Sequence, residues 1–330
     1  MQQQFWIPHN VGNYAFINEV EENKWNAMDQ TSKKEVFVQI VSKKDYQNKD
    51  SFYKLTRYVE LTKNIQSKYF SKCQDFFEDK RFYYVVLEKP DGITLKEYVE
   101  QNCGKITEEY VKNFFVNLIA AFESLDYNQF SITYNNIYVN NNDLHDNTHK
   151  FELTIIPYMM KYSINPTYVF EAPEVLLGKA KNSVSNVWTC GILLYYITIG
   201  SLPFSVTPFN ASEFQKIMLN EKIQIPAYVP ADIQDLLTRM LTKNTFTRMK
   251  FEQLFNHYWV KKDSMKPTEK SYQHINKEQF PNLWAQSSSL INKSLSEDFM
   301  KQHHLQIQII ASKKRPSLIN AENIKDINIL

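Results

Sequence analysis

The sequence predicts an α+β fold, with a strand-rich first third giving way to a helical remainder. Three kinds of stretch carry this. Residues 35–42 alternate and are β-branched, and residues 81–88 are rich in aromatic and β-branched side chains, so both read as strands. Residues 108–125 place Val111, Phe114, Phe115, Leu118, Ile119, Phe122 and Leu125 along one helical face. Residues 186–204 form the most apolar run in the chain. Asn186 is able to cap it, and Gly200 and Pro203 end it. That run is apolar on nearly every face and shorter than the roughly 20 residues of a membrane span, so it predicts a helix buried all round.

Composition sets the bounds. The 330 residues allow one large domain or two lobes with tails. A net charge of +2 points to no polyanionic partner, so no nucleic acid is expected. Cys73, Cys103 and Cys190 are odd in number and scattered, which fits a reducing, cytoplasmic setting without disulfides or metal-ligand spacing. No secretory signal is expected from the first residues. Only 6 glycines are present, so a phosphate-cradling glycine loop has little to draw on.

In chain order, residues 14–87 are strand-rich, with a polar, helix-permissive stretch at 50–64. Pro90, Asp91 and Gly92 break the strand pattern. Thr107 is placed to cap the helix that follows, with Glu108 and Glu109 in its first turn. Two short strands, 136–139 and 151–156, flank the polar run 140–150, which reads as a loop. After the apolar helix, Ile233, Leu236, Leu237, Met240 and Leu241 mark an amphipathic helix, and 251–259 a last one. From 261 to 330 the pattern weakens into an extended polar tail. Within it, Phe280, Leu283 and Trp284 are spaced to dock an apolar groove or to pack locally. Ser317, in Lys-Lys-Arg-Pro-Ser, is a candidate phosphosite in an otherwise plain basic tail.

Several segments in order carry a family likeness. Phe-Glu-Ala-Pro-Glu174 is followed by Asn186-Val-Trp188-Thr-Cys-Gly191, by Gly-Ser-Leu-Pro-Phe204, and by Asp235 through Arg248 to Trp259. This resembles the large lobe of eukaryotic protein kinases, and is most similar to serine/threonine kinases of the calmodulin-dependent and related types. The resemblance implies a bilobal fold over 14–260, with an N-lobe at about 14–89 and a C-lobe at about 90–260, between a 1–13 tail and a 261–330 tail. It also implies that Arg248 pairs with Glu174, a pair costly to break when buried.

Phosphoryl transfer works by positioning and charge neutralisation, and the positions that would supply charge are altered. Residues 20–28 hold no glycine, and Glu21 and Glu22 stand there instead. Gln39 falls where the resemblance implies the nucleotide lysine, with Lys43 and Lys44 just outside the strand core. The helix partner of that lysine falls at Tyr58, with Glu60 close by. Gln129-Phe130-Ser131 replaces His-Arg-Asp, so Ser131 stands for the catalytic aspartate and Thr133 for the lysine beyond it. Asn136 is retained, but one neutral amide is a poor magnesium site. Ile155-Ile156-Pro157 replaces the metal-binding Asp-Phe-Gly. The segment 157–172 is short for an activation loop, and Thr167 is the residue to watch in it. Asn186 stands where the family has an aspartate that holds the catalytic loop.

From these losses the expectation is a pseudokinase: no enzyme, with ATP and magnesium binding weak or absent. It would act as a scaffold or allosteric regulator, binding other proteins such as an active kinase or a larger assembly. The alternatives are a divergent active serine/threonine kinase using Lys43 or Lys44 with Glu60, or a non-catalytic ATP-binding switch.

Overall fold

The structure is a computed structural model. It describes residues 9–261 except 22, 103–104, 125–129, 141–151, 160–165 and 205–210. The side chains of 158–159, 166–167 and 211–213 are also outside the description. Most of the polar run 140–150, the Thr167 side chain, Phe280, Leu283, Trp284 and Ser317 therefore lie outside the described residues. All described residues belong to one compact unit, Met1–Lys270.

The first lobe is an antiparallel sheet of β1 (Asn10–Val11), β2 (Tyr14–Glu21), β3 (Lys24–Asp29), β4 (Glu35–Ser42), β5 (Cys73–Glu78) and β6 (Phe82–Glu88), in the order β1-β2-β3-β4-β6-β5. Helix α1 (Lys49–Asn64) lies between β4 and β5 in sequence. Asn48 caps it by accepting from the Ser51 amide. The period of two divides β4 cleanly. Val36, Val38 and Ile40 join Tyr14, Phe16, Ala27 and Tyr84 on one face. Phe37 and Val41 join Leu55, Tyr58 and Val59 of α1 on the other. Register fixes the rest: Lys24 of β3 pairs directly with Gln39 of β4, so both project on the α1 side.

Gly92 makes the turn into the second lobe at φ +96°, and a Cβ there would fall 2.2 Å from the Val139 carbonyl oxygen. Only glycine fits such a place. There follow β7 (Ile93–Thr94), α2 (Leu95–Gln101), whose Thr94 and Glu97 form a capping box, and α3 (Glu108–Glu123), capped by Thr107. Strands β8 (Phe130–Ser131), β9 (Ile137–Val139), β10 (Leu153–Ile155) and β11 (Tyr158–Met159) make two small sheets, β10-β9-β7 and β11-β8. Then come α4 (Pro173–Leu176), α5 (Ser183–Ile199), α6 (Ala211–Asn220), α7 (Ala231–Met240), α8 (Phe251–Leu254) and α9 (Tyr258–Lys261).

Helix α5 is the axis of this lobe, and every residue from Val187 to Ile197 is buried. Its cap is Asn182, in a capping box with Ser185, and Asn186 sits inside the helix. The sequence reading placed the cap four residues late, because the continuous apolar run begins only at Val187. Gly200 closes the helix in the left-handed conformation, φ 86°. No described helix is long and apolar enough to cross a membrane. The last predicted helix is two short ones, α8 and α9, broken around Asn256 and His257. The chain thus has a bilobal α+β architecture.

Candidate active site at the seam between the lobes

The α1 face of the sheet meets the second lobe along one apolar seam. Phe37, Val85 and Leu87 pack in one cluster with Phe130, Tyr138 and Ile156. The Phe37 and Tyr138 rings lie 5.9 Å apart.

Gln39 is neutral and half-buried. Tyr58 of α1 brings its hydroxyl to within 3.4 Å of Gln39 Oε1 and donates to the Pro157 carbonyl at 2.8 Å. A neutral pair thus joins strand, helix and the 155–157 segment. Burial pushes the Tyr58 hydroxyl far up from its ordinary range. Glu60 points away, exposed and paired with Arg57 at 2.8 Å. Lys43 pairs with Glu78 at 2.7 Å and lies over the Tyr83 ring, and Lys44 is exposed. The structure does not bring Lys43, Lys44 and Glu60 together.

The lysine that does reach the seam is Lys24, which sequence reasoning missed. It is 2% exposed, and its ammonium sits 4.3 Å from the centre of the Phe37 ring and 5.6 Å from that of Tyr138. Burial pulls its pKa down to about 8, against the upward pull of the Glu21 and Glu97 carboxylates. The turn before it is tight: Asn23 takes φ 64°, which asparagine tolerates, and its amide donates to Glu19 Oε1. The cue was available in principle. A lysine that pairs opposite Gln39 shares its face, once the register is known.

Across the seam, Asn136 is wholly engaged in fixing its own loop. Its Nδ2 donates to the carbonyls of Ser131 at 2.8 Å and Ile156 at 3.0 Å, and its Oδ1 accepts from the Thr133 amide at 2.7 Å. Thr133 in turn accepts from the Asn135 amide. Ile155 is fully buried in β10 and holds Tyr69 and Ser71 through its backbone. Ser131 is buried, and its hydroxyl meets a carboxylate, Glu171, at 3.3 Å.

Behind the seam, Arg248 grips Glu174 with two bonds of 2.7 and 2.9 Å. It also donates to the carbonyls of Thr242, Lys243 and Val184, and lies over the Trp188 ring at 5.1 Å. Gly191 lets α5 approach α7 and the residue after it, where a Cβ would meet Leu241 Cδ2 at 2.8 Å. Asn186 is half-buried and lines a cavity of about 330 Å³ with Phe122, Glu123, Phe251 and Phe255. Of the loop it was expected to hold, Gln129 lies outside the described residues, and Phe130 and Ser131 form β8.

A family model described as the protein kinase domain matches residues 24–260. A probable serine/threonine-protein kinase of Dictyostelium discoideum is 23% identical over 294 residues, covering 81% of this chain and 19% of its own length. The human SNF-related serine/threonine-protein kinase is 22% identical over 235 residues, covering 67% of this chain and 30% of its own. The chain thus spans less than a third of either relative.

These matches overturn two expectations: that the domain is no enzyme, and that its binding of ATP and magnesium is weak or absent. The relatives are named as kinases, and phosphoryl transfer by kinases uses ATP with magnesium. The expectation failed for a physical reason. It tested charge only at aligned positions, and the seam carries a buried lysine, Lys24, and a buried carboxylate, Glu171, at others. Over residues 24–260 the chain belongs to the protein kinase domain family.

Proposed function

We propose that the domain is a divergent serine/threonine protein kinase that meets the phosphates of ATP with Lys24 in place of the lysine Gln39 replaces. The observation that carries this is the direct pairing of Lys24 with Gln39, which puts the ammonium on the same face, one strand away. A buried lysine is rare, and in a low-dielectric site it would act strongly on an arriving polyphosphate. The names of the relatives support the reaction class, and the bilobal architecture supports the setting. Its partners are then protein substrates bearing a hydroxyl. A cytoplasmic setting agrees with Cys73 and Cys190 being free and buried.

ATP would supply the phosphoryl group. The residues present fit its phosphates through Lys24. They do not fit a magnesium ion held by the protein: among the described residues no group of three His, Cys, Asp or Glu could hold a metal, and Asn136 is engaged. What the chain itself does is hold the ammonium in low dielectric, where it acts strongly on phosphate. It also holds α1 against the 155–157 segment through Tyr58.

The test is transfer of labelled phosphate from ATP to dephosphorylated casein by the purified chain, beside Lys24→Met. Transfer by the natural chain, reduced at least tenfold in the variant, is the expected result. No transfer by the natural chain, or transfer unaffected by Lys24→Met, overturns the reading.

A further inference from the structure

Ser131 occupies the loop position where a proton acceptor is required, and its hydroxyl is not left to solvent. Its Oγ donates to Glu171 Oε1 at 3.3 Å, inside the protein. The same oxygen takes an ion pair from Lys181 Nζ at 2.6 Å. Lys181 is fixed in turn by donating to the Phe130 carbonyl at 3.1 Å, next to Ser131. The Glu171 and Lys181 side chains are 7% and 9% exposed. The other carboxylate oxygen, Oε2, is buried with no hydrogen-bond partner among the described residues.

That arrangement is expensive for a merely structural pair. A buried ion pair holds best when the remaining lone pairs are satisfied, and among the described residues nothing satisfies one of these carboxylate oxygens. Glu171 is also held firmly: its amide donates to the Tyr168 carbonyl, and it directly precedes Ala172, the first residue before α4. A rigid carboxylate with spare acceptor capacity, hydrogen-bonded to a serine, is the arrangement that draws a proton through a hydroxyl.

We propose that Ser131 is the catalytic residue that meets the substrate hydroxyl, and that Glu171 is the positioning residue that takes up the Ser131 proton. The proposal rests on the kinase reading above. The substrate oxygen attacks the γ-phosphorus of ATP as the bond to the bridging oxygen of ADP breaks, and ADP leaves with that electron pair. The substrate proton passes to Ser131 Oγ while the Ser131 proton moves to Glu171 Oε1. Solvent later removes the proton from Glu171. Lys181 keeps its proton throughout and orients the carboxylate.

The experiment measures steady-state phosphate transfer to dephosphorylated casein across pH 5–9 by the full chain and by Glu171→Gln, Ser131→Ala and both together. The expected result is a fall in kcat of about a hundredfold or more for each single variant, with the KM for ATP within about twofold. The double variant loses little further, because the two residues act as one unit. Glu171→Gln leaves Lys181 without its counter-charge, so Glu171→Gln with Lys181→Met is made as well, and melting curves identify whichever folds. A folded variant lacking Glu171 that keeps kcat within about threefold overturns this proposal alone. A natural chain that binds nucleotide but transfers nothing overturns the kinase reading and this proposal together.

Discussion

Lys24 trades stability for charge in a dry place. Its pKa in the folded chain lies near 8, against 10.5 for an ordinary lysine, and burial is the main cause. Below pH 8 the ammonium is present in both the folded and unfolded chain, and the folded chain carries the full cost of burying it. Between pH 8 and 10.5 the unfolded chain holds the proton and the folded chain does not, so stability rises with pH across that window. Lys24→Met removes the cost. It should stabilise the domain by on the order of 2–3 kcal/mol at neutral pH, with the gain shrinking to nothing by about pH 10.5. Urea unfolding at several pH values measures this, and an unchanged or lower stability at pH 7 would refute it. The same titration predicts how nucleotide binding behaves. A polyphosphate needs the ammonium, so affinity for ATP should fall by up to tenfold per pH unit above pH 8 in the natural chain and stay flat in Lys24→Met. Calorimetric titration at pH 7, 8 and 9 reads the difference, and parallel pH dependence in the two chains would exclude Lys24 from the phosphate site.

At the scale of elements, α5 and its neighbours decide whether the second lobe holds. Gly191 faces Met240 and Leu241, where an added Cβ would lie 3.1 Å from Met240 Cβ and 2.8 Å from Leu241 Cδ2. Valine gains a few tenths of a kcal/mol in helix propensity over glycine, while overpacking costs about 1–3 kcal/mol. The second effect wins, so Gly191→Val should lower the melting temperature. A variant as stable as the natural chain would show that α7 moves aside freely. Arg248 ties α4 to the residues after α7 through Glu174, with both side chains buried. Arg248→Met strands the carboxylate and should cost about 3–5 kcal/mol. Adding Glu174→Gln should restore part of that, and no restoration would place the cost in the three lost carbonyl bonds instead. These elements are also the ones most legible in the sequence. β4 runs over Glu35–Ser42, and α3 begins at Glu108 behind Thr107, because period and caps are local signals. The site was not legible in the same way. Gln39, Ser131 and Ile155 could be read as neutral one at a time. That Lys24 faces Gln39 depends on the register of the β3–β4 hairpin, which the pattern of neither strand alone fixes. That Glu171 reaches Ser131, forty residues earlier, depends on tertiary packing. Helical and strand periodicity carry neither fact.

At the scale of the molecule, the two lobes share a core. Phe37 and Leu87 of the sheet, Leu55 and Val59 of α1, and Phe130, Tyr138 and Ile156 of the second lobe form one cluster. The Tyr58 bond to the Pro157 carbonyl crosses the same seam. Lobes coupled in this way should unfold as one unit, with calorimetric and van't Hoff enthalpies agreeing for the described domain. The coupling also bears on function, because the ring that fills the seam lies against the lysine that would meet phosphate. Phe37 is 2% exposed, with the Lys24 ammonium over its face. Phe37→Ala should therefore act in two opposite directions. Losing the ring leaves a cavity and should destabilise the domain by about 3–5 kcal/mol. It also admits water to Lys24, weakens the desolvation that depresses its pKa, and opens space beside the ammonium for a nucleotide. The melting temperature without ligand should fall, while the upward shift produced by millimolar ATP should grow, since a ligand that binds only the folded state stabilises it by mass action. Melting curves of the two chains, each with and without ATP, separate the effects. A variant that loses stability and gains no response to ATP would mean that Phe37 serves the core alone, and that the nucleotide reaches Lys24 from outside the seam.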